Sequence, residues 1–387
     1  MSTPSVSGYD AVVIGSGSVG TPIALSLAEA GLSVGVFDPC PSPGRGDNRA
    51  AIGGIRATHS EPAKATLCRE SIEVFARWRE DRGDDIEWRR GGYLFVAYRG
   101  EDAEALRTVV AIQRDAGLDI DWVGPDRVAE LAPGIHDVDL LGGTFSPGDG
   151  SASPLRAVHS FRVWAERAGA RFHFGEPVTA IDVRGNRVVG VTTPEGVYPA
   201  PMVVNAAGAD APAVARMVGV ELAVTPEGHE AGVTEPVERF LDPMVVDLRP
   251  GARSKNVYLY QSATGQVLFS IAPRPAEPGA DRRVRSEFLP EASARLVGLM
   301  PRLGHLKIRR TWRGLYPMTP DGSPLVGWCG PEGHLVAAGM CGQGFMLGPG
   351  IGRCLARLVT GAATPHDDAV LEELRPERAF GGAELLR

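Results

Sequence analysis

Near the N-terminus the chain reads Gly15-Ser16-Gly17-Ser18-Val19-Gly20, and an acid, Asp38, follows 18 positions after the last glycine. Glycines at this spacing have three separate uses. The first lets the backbone turn sharply, the second lets it approach a pyrophosphate, and the third lets the following helix pack close to the preceding strand. Backbone N–H groups around Ser18 and Val19 then face the phosphates at the start of a helix, where the dipole favours negative charge. Asp38 is placed to accept a ribose hydroxyl and would repel the extra phosphate of NADP. The chemistry implied is the binding of a dinucleotide.

That reading requires a strand, a turn, a helix, a second strand and then the acid, in that order. Tyr9 to Ile14 (Y-D-A-V-V-I) is a continuous apolar run, suited to a parallel strand covered on both faces. Thr21 to Ala30 has the composition of a helix, stopped by Gly31, and Pro22 falls in the first turn, where its missing N–H has no intrahelical role. Ser33 to Phe37 forms the next strand and delivers Asp38. The opening alone does not separate NAD from FAD. Three later segments do: Pro177 to Ile181, after a helix (Leu155 to Ala168) and a strand (Ala170 to Phe174); the buried strand Met202 to Ala209; and the strand His334 to Gly339. This last strand delivers a second glycine-rich turn, Met340-Cys341-Gly342-Gln343-Gly344-Phe345, to a helix from about Leu347 to Val359. Reduction of a flavin places negative charge at the pyrimidine edge of its ring, and backbone N–H groups and a helix start aimed there would stabilise it. A turn serving only packing is the alternative.

Composition narrows the class. A chain of 387 residues with 43% apolar content can bury a sizeable core, and its length suggests two or three domains. The net charge of -7 argues against a nucleic-acid partner. Lysine occurs only at Lys64, Lys255 and Lys307. The five cysteines, Cys40, Cys68, Cys329, Cys341 and Cys354, show no C-x-x-C pair and no zinc spacing, so no metal is expected. Met1 to Gly8 is short, polar and uncharged, and neither a signal peptide nor an apolar run of about 18 or more residues is visible. The expectation is a cytoplasmic protein without a transmembrane segment.

Taken together, these segments resemble the D-amino-acid oxidase superfamily, in its branch of sarcosine and glycine oxidases and the related D-amino-acid and proline dehydrogenases. The sarcosine oxidase beta subunit is the nearest in character. The resemblance is carried by Val12 to Asp38, Gly53-Gly54-Ile55-Arg56, Val178 to Ile181 and Val204-Asn205-Ala206-Ala207-Gly208. It continues through Trp312-Arg313-Gly314-Leu315-Tyr316, Thr319-Pro320-Asp321-Gly322 and Ala338 to Phe345, spanning nearly the whole chain in family order. It implies an α/β and α+β architecture, a Rossmann-type FAD-binding domain (1–82, 150–220 and 320–387) interleaved with a substrate domain (83–149 and 221–319) on a mixed or antiparallel sheet. The alternation in Gly91 to Tyr98 and Val257 to Ile271, with a turn at Ala263-Thr264-Gly265, independently supports such a sheet. Ser71 to Trp78 and Ala103 to Ala116 read as helices.

The resemblance also implies the activity: removal of a hydride from the carbon beside an amine nitrogen, its transfer to FAD, and an imine that hydrolyses. FAD contacts are expected at Gly15, Gly17, Ser18, Val19, Gly20, Asp38, Arg49, Gly53, Gly54, Val178, Ala206, Ala207 and Gly208. The closing turn adds Gly339, Gly342, Gln343, Gly344 and Phe345. Relatives that hold a flavin covalently use a cysteine where this chain has Gly314, or a histidine where it has Pro154, so one non-covalent FAD is expected. An amino-acid carboxylate calls for the fork of an arginine. Arg56 is the leading candidate, the alternative being an arginine bridging to the helix that follows; Arg313 is the second. Tyr316 stands where glycine oxidases carry their carboxylate-binding arginine. Tyr258 and Tyr260 share one strand face, so one of them can line the pocket. His59 reads as a surface or cap residue and His229 as structural. The strand Gln266 to Ile271 offers no lysine, which tilts the expectation towards a dehydrogenase, with oxygen or another carrier as electron acceptor. Other readings are a flavin-carrying subunit of a heteromeric complex or an NAD-dependent dehydrogenase, and a homo- or hetero-oligomer is equally open.

Overall fold

The computed structural model describes residues 8–381; the expectations for Met1 to Ser7 and for the last six residues lie outside the described part. The opening strand, Ala11–Ile14, is buried at all four positions. It sits inside a six-stranded sheet in the order Leu325–Trp328, His334–Ala338, Val203–Asn205, Ala11–Ile14, Val34–Asp38, Arg171–Phe174. All neighbours are parallel except the edge pair Leu325–Trp328 and His334–Ala338. Side chains alternate across it. Ala11 and Val13 face a layer of helices (Gly20–Glu29, Pro62–Arg82, Pro154–Arg167, Gly344–Val359). Val12 and Ile14 face Tyr198 and Val191 of a small antiparallel sheet, Ala180–Arg184, Arg187–Thr193 and Gly196–Pro199.

A second sheet has eight strands in the order Ile308–Met318, Thr225–Pro236, Gln266–Pro273, Ser254–Gln261, Met244–Asp247, Tyr93–Ala97, Gly142–Ser146, Asp121–Val123. Every pair is antiparallel except Met244–Asp247 with Tyr93–Ala97. This is the mixed, mainly antiparallel sheet expected beside the Rossmann-type one. Its period of two decides what each face carries. Leu94, Val96, Leu259 and Phe269 pack on the helix Phe288–Leu299, whereas Tyr93, Phe95, Met244 and Tyr258 point the other way.

Two helices are longer than the sequence suggests. The segment read as Ser71 to Trp78 runs from Pro62 to Arg82, and the last helix starts at Gly344, one turn before Leu347. Glycine and proline weaken an isolated helix. Here they allow contact that no larger residue would. A Cβ on Gly348 would lie 2.0 Å from the Ser18 carbonyl oxygen, one on Gly350 2.1 Å from that of Leu67, and one on Gly352 2.7 Å from that of Pro22. The final helix thus packs backbone to backbone on the first glycine-rich turn and the helix after it. Among the described residues no helix is long and apolar enough to cross a membrane.

Candidate active site

At the dinucleotide end, Gly15 adopts φ +104, and a Cβ there would fall 2.6 Å from the Ala206 carbonyl oxygen. The strand end carrying Ala206, Ala207 and Gly208 is therefore pressed against the turn. Around Gly17 nothing lies within 4 Å of a Cβ position, which leaves open space where a pyrophosphate would approach. Ser18, half-buried, and Val19 precede the helix Gly20–Glu29, whose N-terminus has no side-chain cap. Asp38 is already engaged: its Oδ2 accepts from the Ser16 N–H (2.8 Å) and hydroxyl (2.6 Å), and Oδ1 accepts from the Cys40 N–H (2.8 Å). A carboxylate oxygen has two acceptor sites, so Oδ1 keeps one for a ribose hydroxyl. Ser16, fully buried, is a positioning residue that the glycine pattern did not single out. Arg49 is exposed at the end of the turn Asp47–Ala50, and Val178 packs with the Tyr9 and Phe37 side of the sheet. Open space, uncapped helix and acid suit the ADP half of FAD.

Against the Tyr93 and Tyr258 face of the eight-stranded sheet lies a cavity of about 550 Å³. The glycines of the second loop, Gly53 and Gly54, form one wall, and Gly342, Gln343 and Phe345 form another. Gly342 has φ +81, and a Cβ on it would enter the Tyr316 ring at 2.2 Å, so only glycine closes the turn against that ring. The helix Gly344–Val359 begins at this wall without a side-chain cap, and the buried Oε1 of Gln343 has no hydrogen-bond partner among the described residues. A buried polar atom left so is costly unless a ligand satisfies it. Gly339 makes the bend that leads in, and Gly344 touches Val19 at 3.3 Å from its Cβ position, which joins the two ends of the site. The wall suits the polar edge of a flavin ring.

The remaining walls belong to the eight-stranded sheet and to Arg56. Arg56 is buried, lines the cavity, donates to the Thr58 carbonyl and has its guanidinium carbon 5.5 Å from the Phe95 ring centroid. The Tyr258 and Tyr316 hydroxyls meet at 3.1 Å, and both rings line the cavity. Tyr260 does not: its hydroxyl donates to the Ile52 carbonyl, which fixes the loop before Gly53. Burial raises the phenol pKa of Tyr93 and Tyr316, so these groups stay protonated.

Arg313 is turned away from the cavity. In the strand Ile308–Met318, Trp312, Gly314 and Tyr316 share one face and Arg313 the other. There its guanidinium meets Glu277 at 2.6 Å and Glu230 at 3.6 Å. The strand reaches the cavity on its opposite face, through Tyr316 and Met318, so the two-residue period takes Arg313 out of the site.

His229 also departs from its expected role. It lies within the strand Thr225–Pro236, lines the cavity and stacks on Tyr316 at 3.8 Å between centroids. Its Nε2 is buried without a hydrogen-bond partner among the described residues. Burial, with help from Lys255 and Arg313, lowers its pKa to about 3, so the ring is neutral. Thr225, Glu227 and His229 alternate onto the cavity face of this strand. One lysine lines the cavity and a second lies behind its wall, against Gly322. Lys255 lines the cavity mouth, and Lys64 is fully buried with Nζ 3.4 Å from the Gly322 carbonyl oxygen. His59 is buried, 2% exposed, rather than on the surface.

Comparison with known proteins agrees with this geometry. The family described as DAO, FAD dependent oxidoreductase, matches residues 10–358. Human mitochondrial sarcosine dehydrogenase is 27% identical over 405 residues, covering 100% of this chain, but the chain spans only 42% of that protein. Glycine oxidase of Bacillus licheniformis is 26% identical, with 96% of this chain and 97% of that protein covered. Among solved structures, L-proline dehydrogenase from P. horikoshii superposes with a TM-score of 0.90 at 30% identity, covering 96% of this chain and 98% of that one. An NAD-dependent dehydrogenase is thereby set aside. The chain belongs to the DAO family of FAD-dependent oxidoreductases.

Proposed function

We propose that the protein oxidises the C–N bond of a small carboxylated amine, a secondary or D-amino acid of the sarcosine or proline kind, to an imine that water hydrolyses. The observation that carries this is Arg56, a buried guanidinium on the wall of a cavity that also carries tyrosines, a neutral histidine and glycine backbone, with Glu227 and the exposed Lys255 as its other charged lining residues. FAD, when bound, supplies the hydride acceptor; Gly15 to Gly20, Asp38 and the Gly342–Phe345 wall would hold it. We further propose that it is held without a covalent bond. A Cβ on Gly314 would lie 2.4 Å from the Ala50 side chain, and the Cys341 thiol is tied to Thr319 Oγ1 at 3.2 Å and to the Gly339 carbonyl at 3.1 Å, with its pKa raised by burial.

The residues have divided tasks. Arg56 binds the carboxylate and so fixes the adjacent carbon, which converts a loose encounter into an oriented one. Hydride leaves readily only from the neutral amine. His229, neutral above about pH 3, offers an acceptor for the amine N–H without itself carrying charge. The aromatic walls exclude water, which strengthens both interactions.

Two measurements check this. Purified protein is expected to be yellow, and under anaerobic conditions its flavin absorbance should bleach with at least one of sarcosine, L-proline, glycine and D-alanine, but not with methylamine or pyrrolidine at equal concentration. Equal bleaching by the amines that lack a carboxylate would refute the reading. His229→Phe keeps a ring against Tyr316 but removes the acceptor. It is expected to lower kcat by about 10- to 100-fold while FAD stays bound. An unchanged kcat would leave His229 a packing residue.

A further inference from the structure

A buried carboxylate beside the proposed substrate grip belongs to Asp149, in the bend Ser146-Pro147-Gly148-Asp149-Gly150 that follows the strand Gly142–Ser146. It is 3% exposed. Its Oδ1 accepts from the Ala57 N–H at 2.9 Å, and Oδ2 accepts from the Thr58 hydroxyl at 3.3 Å and from the Ser146 hydroxyl. Its own carbonyl accepts from the Gly92 N–H at 2.8 Å, and the next residue, Gly150, pairs with Ile55 across a two-residue ladder. One side chain thus grips both residues that follow Arg56, and the backbone beside it grips the residue before. Arg56 in turn donates to the carbonyl of Thr58, so its guanidinium direction depends on how that segment is held.

We propose that Asp149 is the positioning residue for Arg56: ionised, it fixes the Ala57–Thr58 backbone that aims the guanidinium into the cavity. This rests on the reading of Arg56 as the carboxylate binder. Protonation of Asp149 removes the charge that strengthens its bonds from the Ala57 N–H, Thr58 and Ser146, and one of the two hydroxyls must turn round to accept the new proton, so the grip loosens. The charged group that faces the carboxyl is Arg56, and the ionisable one is Tyr93 of the neighbouring strand, held protonated by its burial. Ser146, Thr58 and the backbone complete its surroundings. Burial raises the Asp149 pKa to about 6 against the opposing pull of Ser146, the Ala57 N–H and Arg56. The grip is therefore intact above about pH 6 and weakens as pH falls through it. His229, at about 3, titrates outside that window.

The test uses the FAD-loaded protein and pyrrole-2-carboxylate, a planar amino-acid analogue with no oxidisable C–H beside its nitrogen, with pyrrole as the control lacking the carboxylate. Binding is read from the flavin absorbance between pH 5 and 8. The unaltered protein should lose affinity for the carboxylate below pH 6. Asp149→Asn should weaken it about tenfold or more at pH 7.5, flatten the pH dependence and leave pyrrole unaffected. Thr58→Val, a milder change, removes one hydrogen bond to the anion and should move the bend to higher pH. An unshifted bend in Thr58→Val, or an Asp149→Asn protein that binds both probes less well by the same factor, overturns the proposal. Arg56→Ala measured alongside separates the two readings. If it leaves carboxylate binding intact, the assignment of Arg56 fails; if it abolishes binding while Asp149→Asn does not, only the role of Asp149 fails.

Discussion

Arg56→Ala is expected to raise KM for a carboxylated amine substrate by two to three orders of magnitude while the protein remains yellow. Removing one partner of a buried, hydrogen-bonded charge pair costs about 2–5 kcal/mol, or on the order of 30- to several thousand-fold. The effect should fall on binding and orientation together, so kcat drops as well when the carbon is no longer held. Arg56→Lys should recover only part of the loss, because an ammonium cannot match a carboxylate with two parallel hydrogen bonds. Steady-state kinetics with sarcosine or L-proline, whichever bleaches the flavin, checks this. A KM within twofold of the original would remove Arg56 from the site.

Arg313→Ala is expected to do the opposite: loss of stability with little change in KM for the protein that survives. Its guanidinium, with a side chain only 2% exposed, lies between Glu230 and Glu277. Arg285 completes the group through its own ion pair with Glu277 at 2.6 Å and its backbone N–H on Glu230 at 2.6 Å. Removal of the arginine leaves two carboxylates close together with a single partner, and breaking a buried pair in this way costs about 3–5 kcal/mol. Both glutamates hold the segment after the strand Gln266–Pro273, which roofs the cavity at Pro273 and Ala276. Thermal unfolding followed by flavin fluorescence would show the drop. An unchanged melting temperature with a raised KM would return Arg313 to the substrate.

The two arginines show where the sequence was legible and where it was not. The glycine turn, the strand and the acid at Asp38 occupy consecutive positions, so local spacing describes them well. The same holds for Gly342 to Phe345 at the start of the last helix. The mixed sheet was legible because Tyr93 to Ala97 and the two arms of the hairpin at Gly265 are rich in aromatic, β-branched and aliphatic residues bounded by glycines. Arg313 was expected at the cavity and lies behind it, whereas His229 was read as structural and lies within a strand on the cavity face. The face a strand residue occupies depends on phase, and a one-residue uncertainty in phase exchanges cavity for exterior. Lys64, Ser16 and Asp149 act through partners up to 258 residues away or through buried backbone, and no local pattern marks such contacts. The early start of the last helix escaped notice because Gly344, Gly348 and Pro349 look like breakers until a neighbouring backbone explains them.

The contact of Gly348 with the Ser18 carbonyl and of Gly352 with that of Pro22 has a consequence for biosynthesis. A ribosome releases the phosphate-binding turn more than 300 residues before the helix that seals it. Until that helix emerges, the nascent chain can assemble most of both sheets yet leaves the first turn uncovered on the side where the helix belongs. Cofactor capture should therefore be a late, post-translational step that locks an almost complete scaffold, and flavin shortage in the cell should show itself as open-ended, protease-sensitive protein.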